Sequence, residues 1–146
     1  MREILFRGKK VNKDKWIYGA PVKGTPEDES EMLIIESVFD CKEYFCRGCN
    51  FDPVIPETLG QYTGLTDKNG KKIFEGDILK VVSPNDDEGK PFVTEFFAIV
   101  YEEKMRRFVM RSDLGNDDFD YSQDDIKEYK VEVIGNIHDN PRIIGG

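Results

Sequence analysis

The sequence predicts a mainly β fold, α+β only through a minor helix, with bent antiparallel sheets forming an SH3-like barrel-type core. Short runs of β-branched and aromatic residues with a period of two recur along its 146 residues. Clusters of Gly, Pro, Asn, Asp and Ser separate these runs, and no heptad or long helical pattern competes with them. The Gly76-Asp77-Ile78-Leu79-Lys80-Val81 stretch has the Gly-Asp strand start found in many SH3-like barrels, which is a fold-level analogy. The length fits one domain over residues 1–146, divisible into an N-terminal β subdomain of about 1–56 and an SH3-like part of about 57–140.

In chain order, Glu3-Ile4-Leu5-Phe6 and the run from Trp16 to Val22 are strands joined by the polar link Val11 to Lys15. Trp16 and Tyr18 alternate with Ile17, giving an aromatic and an aliphatic face, as expected of a strand covered on both sides. Gly24 to Glu31 is a breaker followed by an acidic loop. Met32 to Ile35 is a buried-type strand, which residues 38–46 continue after a bend at Glu36-Ser37. Phe51 to Pro56 cannot be a central strand, because two prolines lack the ladder N–H, and it reads as an extended connector.

The most legible block runs from Thr58 to Val82. Asp67-Lys68-Asn69-Gly70 is a tight turn, since Asn and Gly tolerate positive φ, and Leu65 and Ile73-Phe74 flank it as a hairpin. Glu75-Gly76-Asp77 interrupts the apolar run before a strand over Ile78 to Val82. Gly60, Gly64, Gly70 and Gly76 mark the places where a sheet turns or bulges.

After the solvated loop from Ser83 to Pro91, the runs Phe92 to Tyr101 and Phe108 to Arg111 form another hairpin. Six aspartates between Asp113 and Asp125 suggest calcium, but the alternation of ligands breaks, no Gly stands sixth and no Glu twelfth, so the segment reads as a solvated acidic loop. Ser122-Gln123-Asp124-Asp125 is a helix start, with Ser122 accepting from the Asp125 N–H, for a short helix to about Tyr129. Lys130 to Ile137 alternates charged and apolar residues as a last strand.

A net charge of −8 opposes sequence-independent attraction to nucleic acid. The basic groups Lys9, Lys10, Lys13 and Lys15, and later Lys104, Arg106, Arg107 and Arg111, read as solubilising charge. No apolar run approaches the roughly 18 to 20 residues of a membrane span, and the start lacks a signal-peptide core, so a cytoplasmic protein with no membrane partner is expected. Cys41, Cys46 and Cys49 are an odd set and argue against disulfides. With His138 they are the available ligands for zinc, but free or buried thiols are the favoured reading, and neither metal nor cofactor is expected.

For catalysis the polar set is Tyr62, Thr63, Asp67, Glu75, Asp77 and His138. Glu75 and Asp77 share a strand face only if Gly76 carries no bulge. Nucleophile elbow, phosphate loop and paired metal-binding histidines are all missing from the sequence. Tyr62, Asp67, Glu75 and Asp77 therefore stand as candidate interaction or motif residues, with no catalytic residue assigned.

Gly60-Gln61-Tyr62-Thr63-Gly64-Leu65, Asp67-Lys68-Asn69-Gly70-Lys71 and Phe74-Glu75-Gly76-Asp77-Ile78 resemble the central block of the YopX family of phage and prophage proteins of Gram-positive bacteria. Arg2-Glu3-Ile4 with Phe6-Arg7 is similar to that family's opening, and Val133 to Pro141 to its ending. Residues 24–52 match no family motif. The resemblance implies a mostly β phage-encoded protein and brings neither a biochemical activity nor site residues. The expected role is a non-catalytic interaction or assembly factor, because Trp16, Tyr18, Phe92, Phe96, Phe97, Tyr101 and Phe108 exceed the needs of one core. A homo-oligomer and an unidentified host or phage protein are the expected partners. The alternatives are an acidic nucleic-acid mimic, using Asp86-Asp87-Glu88 and the later aspartates, and a small enzyme.

Overall fold

The computed structural model describes residues 3–24, 31–38, 49–82, 94–112 and 118–144. Among them are eleven strands, one α-helix and one 3-10 turn, in two units, Met1–Tyr62 and Thr63–Gly146. The fold is mainly β, as expected. The paired strands are antiparallel, and the sheets bend without closing into a barrel.

The first unit holds β1 (Phe6–Lys9), β2 (Trp16–Lys23), β3 (Met32–Val38), β4 (Cys49–Val54) and the start of β5 (Gly60–Thr66), in the order β4-β3-β2-β1-β5. The first strand begins at Phe6 rather than Glu3, and Ile4 stays exposed. Pairing explains the shift: Phe6 to Lys9 stand opposite Gly19 to Trp16, and Gly8 lies directly under Val54. The bend expected at Glu36-Ser37 is a register shift inside β3, between Ile35 and Ser37.

Residues 49–54 correct the connector reading. They pair with β3 from Met32↔Val54 to Val38↔Cys49, and Pro53 is accommodated because β4 is the edge of the sheet. The sheet curls until Val54 bridges Lys10, the Val11 N–H donates to the Pro53 carbonyl and the Ile55 N–H to the Lys9 carbonyl. The turn Pro56–Thr58 follows, and Thr58 fixes it by accepting from the Lys9 N–H at 2.9 Å while donating to the Ile55 carbonyl at 2.7 Å. Ile17, Ile34 and Val54 make this unit's core.

The second unit contains the rest of β5, β6 (Lys72–Phe74), β7 (Asp77–Val82), β8 (Thr94–Glu102), β9 (Arg107–Ser112), β10 (Asp118–Phe119), α1 (Gln123–Glu128) and β11 (Glu132–Asn136). Its five-stranded sheet runs β10-β9-β8-β7-β11. Leu79, Val81, Phe97, Ile99, Met110, Ile126, Val131 and Val133 are buried together with Ile73, so the one turn-and-a-half helix adds its single apolar side chain, Ile126, to a sheet core. Part of the acidic segment is not a loop: Asp118–Phe119 pairs with β9, opposite Arg111 and Met110. Residues 83–93 and 113–117 lie outside the described set, as do residues 25–30 of the expected acidic loop and residues 39–46 of the expected strand.

The helix start is the one expected. Ser122 and Asp125 form a capping box, the Asp125 N–H donating to Ser122 Oγ and the Ser122 N–H to the Asp125 carboxylate, which those bonds from Ser122 hold below its ordinary pKa. The helix stops with Lys130 at φ +46°, its Val131 N–H returning to the Ile126 carbonyl. That left-handed position favours glycine. Lys130→Gly should therefore stabilise the second unit by about 1 kcal/mol, read as a higher urea midpoint at unchanged slope.

Candidate functional site

Of the three carboxylates singled out in the sequence, Asp67 and Asp77 accept hydrogen bonds from the backbone. Asp67 is 4% exposed, although it opens a surface turn. Its Oδ1 accepts from the Asn69 and Lys71 N–H groups at 2.8 and 2.9 Å, and its Oδ2 from the Val133 N–H at 3.1 Å. The first two bonds close the Asp67–Gly70 turn locally, as Asx residues do. The third reaches 66 residues along the chain to the outer edge of β11. Beside it the Lys68 N–H donates to the Val131 carbonyl, and Lys68 Nζ pairs with Glu132 at 2.5 Å. A sheet edge that would otherwise present unpaired groups is thereby covered.

Asp77, 1% exposed, repeats the device on the next turn, accepting from the Phe74 N–H at 2.8 Å. Between them Gly76 sits at φ +80°, so Glu75 and Asp77 do not share a strand face. The Gly76 N–H donates to the Ile99 carbonyl, and its own carbonyl accepts from the Ile137 N–H. This brings the Glu75-Gly76-Asp77 turn against the chain's last block, where His138 Nε2 stands 3.6 Å from the place a β-carbon on Gly76 would take. His138 itself is exposed.

The last block is also built from side-chain capping. Asn136 Oδ1 accepts from the His138 and Asp139 N–H groups, both at 3.0 Å, its Nδ2 donates to Asp139 at 2.8 Å, and Asn140 Oδ1 accepts from the Asn136 N–H at 3.3 Å. The sequence reading missed Asn136, Asn140 and Gln123. Gln123 replaces a strand partner for Thr66, its Oε1 accepting from the Thr66 N–H at 3.0 Å and its Nε2 donating to the Thr66 carbonyl at 2.8 Å. The signal for Asn136 and Asn140 lay in their position around Pro141; Gln123 left none. Tyr62 is buried at the end of the first unit, its N–H donating to the Leu5 carbonyl, so it belongs to a different unit from Asp67, Glu75, Asp77 and His138.

Cys41 and Cys46 lie outside the described residues, and Cys49 opens β4 in the first unit, whereas His138 is in the second. Among the described residues no three His, Cys, Asp or Glu side chains are grouped to hold a metal ion. Half of the basic groups picked out from the sequence are held in ion pairs: Lys9 with Asp14, Lys10 with Asp52, Arg107 with Asp120 and Arg111 with Glu102. Arg7, 6% exposed, lies 4.7 Å from the centre of the Trp16 ring, a cation–π contact. Of the acidic residues offered for phosphate mimicry, Asp86, Asp87, Glu88, Asp113 and Asp117 fall outside the described residues, and Asp120 and Asp125 are engaged by Arg107 and Ser122.

The cavity in the second unit, lined by Leu65, Ile73, Ile99, Met110, Tyr121 and Ile126 among others, is about 30 Å³. That is room for one water, an order of magnitude below a substrate pocket. Tyr121 packs edge-to-face on Tyr129 with ring centres 5.9 Å apart. Burial, then the nearby Tyr129, Glu95 and Asp125, push its phenol above the ordinary 10.0.

Two outcomes follow from these contacts. Asp67→Asn keeps the volume but loses a charged acceptor for buried N–H groups, and should cost about 1.5–3 kcal/mol in urea denaturation, whereas Glu75→Gln and His138→Ala on the surface side stay within about 0.5 kcal/mol. Because the Tyr121 pKa is raised on folding, its contribution is complete below pH 10 and is lost as pH rises through the raised value. Tyr121→Phe should therefore flatten the fall of melting temperature above pH 10 and leave the neutral range unchanged in slope.

The fold has a solved counterpart: over 99% of both chains the structure matches the crystal structure of protein EF1440 from Enterococcus faecalis with a TM-score of 0.61 at 23% sequence identity. No curated protein matches the sequence. The sequence profile described as YopX protein matches residues 5–145, which takes in the central and final blocks whose side chains are described above. On that match the chain belongs to the YopX family.

Proposed function

We propose that this chain is a non-catalytic interaction protein of phage growth or prophage maintenance, acting in the cytoplasm by contact with a second copy of itself and with a host or phage protein. One observation carries the reading: an open apolar face in the first unit. On the β2-β3-β4 sheet, Ile17, Ile34 and Val54 fill the buried side. On the other side Ala20, Ile35 and Phe51 stand in register, as do Val22, Leu33 and Pro53, with Tyr18 next along β2. Tyr18 is 47%, Val22 41% and Phe51 61% exposed. The expectation of a strand covered on both sides is corrected here: β2 is covered on its Ile17 side and open on its Tyr18 side.

Scattered exposed apolar residues need no explanation, but three on one sheet face with half-buried Leu33 and Ile35 between them mark a contact surface. The non-catalytic part of the proposal is supported by the motif carboxylates, since both oxygens of Asp67 and the Oδ2 of Asp77 accept from backbone N–H groups.

Affinity purification of tagged protein from infected cells tests the reading, with Phe51→Ser as the paired control. Recovery of a specific protein that resists high salt and disappears with Phe51→Ser, at an unchanged urea midpoint, is the expected result. Equal recovery by wild type and Phe51→Ser would remove this face from the account. Light scattering should give a multiple of the 16.8 kDa chain mass at micromolar concentration, and a single-chain mass would withdraw the self-association.

A further inference from the structure

The β8–β9 hairpin ends in Glu103-Lys104-Met105-Arg106, and three features of this tip bear on binding. Met105 is 58% exposed. Lys104 and Arg106 are exposed and have no ion-pair partner among the described residues, whereas Arg107 and Arg111 lower on the same hairpin are paired with Asp120 and Glu102. Arg106 is held at φ +53°, one of two non-glycine residues with positive φ among those described. A left-handed arginine costs on the order of 1 kcal/mol relative to glycine, so the fold alone would favour glycine there. The arginine side chain is what that conformation retains.

The same unit carries the matching charge. Asp124 and Glu128 are exposed and stand one helical turn apart on α1, hence on one face. Their neighbours are already engaged, Asp125 by Ser122 and Asp120 by Arg107. Lys127, between them in sequence, and Lys130 are the cations of the helix and its cap. The Arg107–Asp120 pair also fastens the base of the hairpin to the segment two residues before the N-cap Ser122, which keeps tip and helix start beside each other.

We propose that a second copy of this chain is the partner of the tip, the two copies pairing about a two-fold axis. Lys104 and Arg106 of each copy meet Asp124 and Glu128 of the other, and Met105 packs on the half-buried Tyr121 and Tyr129 rings at the ends of that helix. Because tip and helix lie side by side, one two-fold operation satisfies both contacts, and the assembly closes as a dimer. The arginine fork suits a carboxylate, and an unbranched thioether adapts to an aromatic surface. With −8 on each chain the bodies repel at long range, so the approach is steered to cationic projections such as this tip. The inference rests on the self-association proposed above and names its contact.

Salt alters both the body repulsion and the local pairs, so charge reversal is the cleaner test. Sedimentation velocity at micromolar concentration should give a dimer for wild type. Lys104→Glu/Arg106→Glu and Asp124→Lys/Glu128→Lys should each weaken it at least about tenfold, and an equimolar mixture of the two variants should recover it, since every contact is then opposite in sign. Arg106→Gly should weaken the dimer while raising the thermal midpoint, which separates contact from folding. Full dimerisation of both reversed variants alone would overturn this contact and leave the oligomer standing on another surface. A wild-type monomer at every concentration would overturn both.

Discussion

The Asp67 carboxylate is the constraint on which the second unit depends. One side chain accepts from three backbone N–H groups, two inside its own turn and one at Val133. Buried charge is costly unless hydrogen-bonded, and here each bond is charge-assisted and replaces a water that burial removed. The turn and the last strand are thus joined through one buried side chain. Asp77 accepts one backbone N–H, from Phe74, within its own turn, and Gly76 just before it hands one hydrogen bond to β8 and takes another from the turn after β11. The blocks that mark the family are consequently a scaffold of capped turns.

How much of this was legible depends on the range of each interaction. The Asp67–Gly70 turn, the Ser122 cap and the period-two strands were readable because their determinants sit within a few residues of one another. The bond from Val133 was not, since nothing in a single sequence joins positions so far apart. Two prolines hid β4, because Pro53 is excluded from a central strand but tolerated at an edge, and edge position is a property of the assembled sheet. Alternation of Trp16, Ile17 and Tyr18 showed two apolar faces but not which one remains open.

The same distinction bears on function. Buried acidic residues in a motif invite a catalytic reading, yet Asp67 accepts from three main-chain N–H groups and Asp77 from one. What the fold leaves exposed lies elsewhere: the Tyr18, Val22 and Phe51 face of the first unit, and the Lys104-Met105-Arg106 tip of the second. One is apolar and neutral, the other cationic on an acidic chain, so they suit different contacts.

Amide hydrogen exchange of the folded protein at Val133 tests the central claim most directly. An edge-strand N–H facing away from its sheet exchanges at the rate of local fraying, whereas one bound to a buried carboxylate opens only with the unit. The account predicts that Val133 exchanges as slowly as core amides of β7 and β8, and that Asn69 and Lys71 follow it. Exchange of Val133 at the rate of an exposed strand edge, with β7 and β8 still protected, would contradict it.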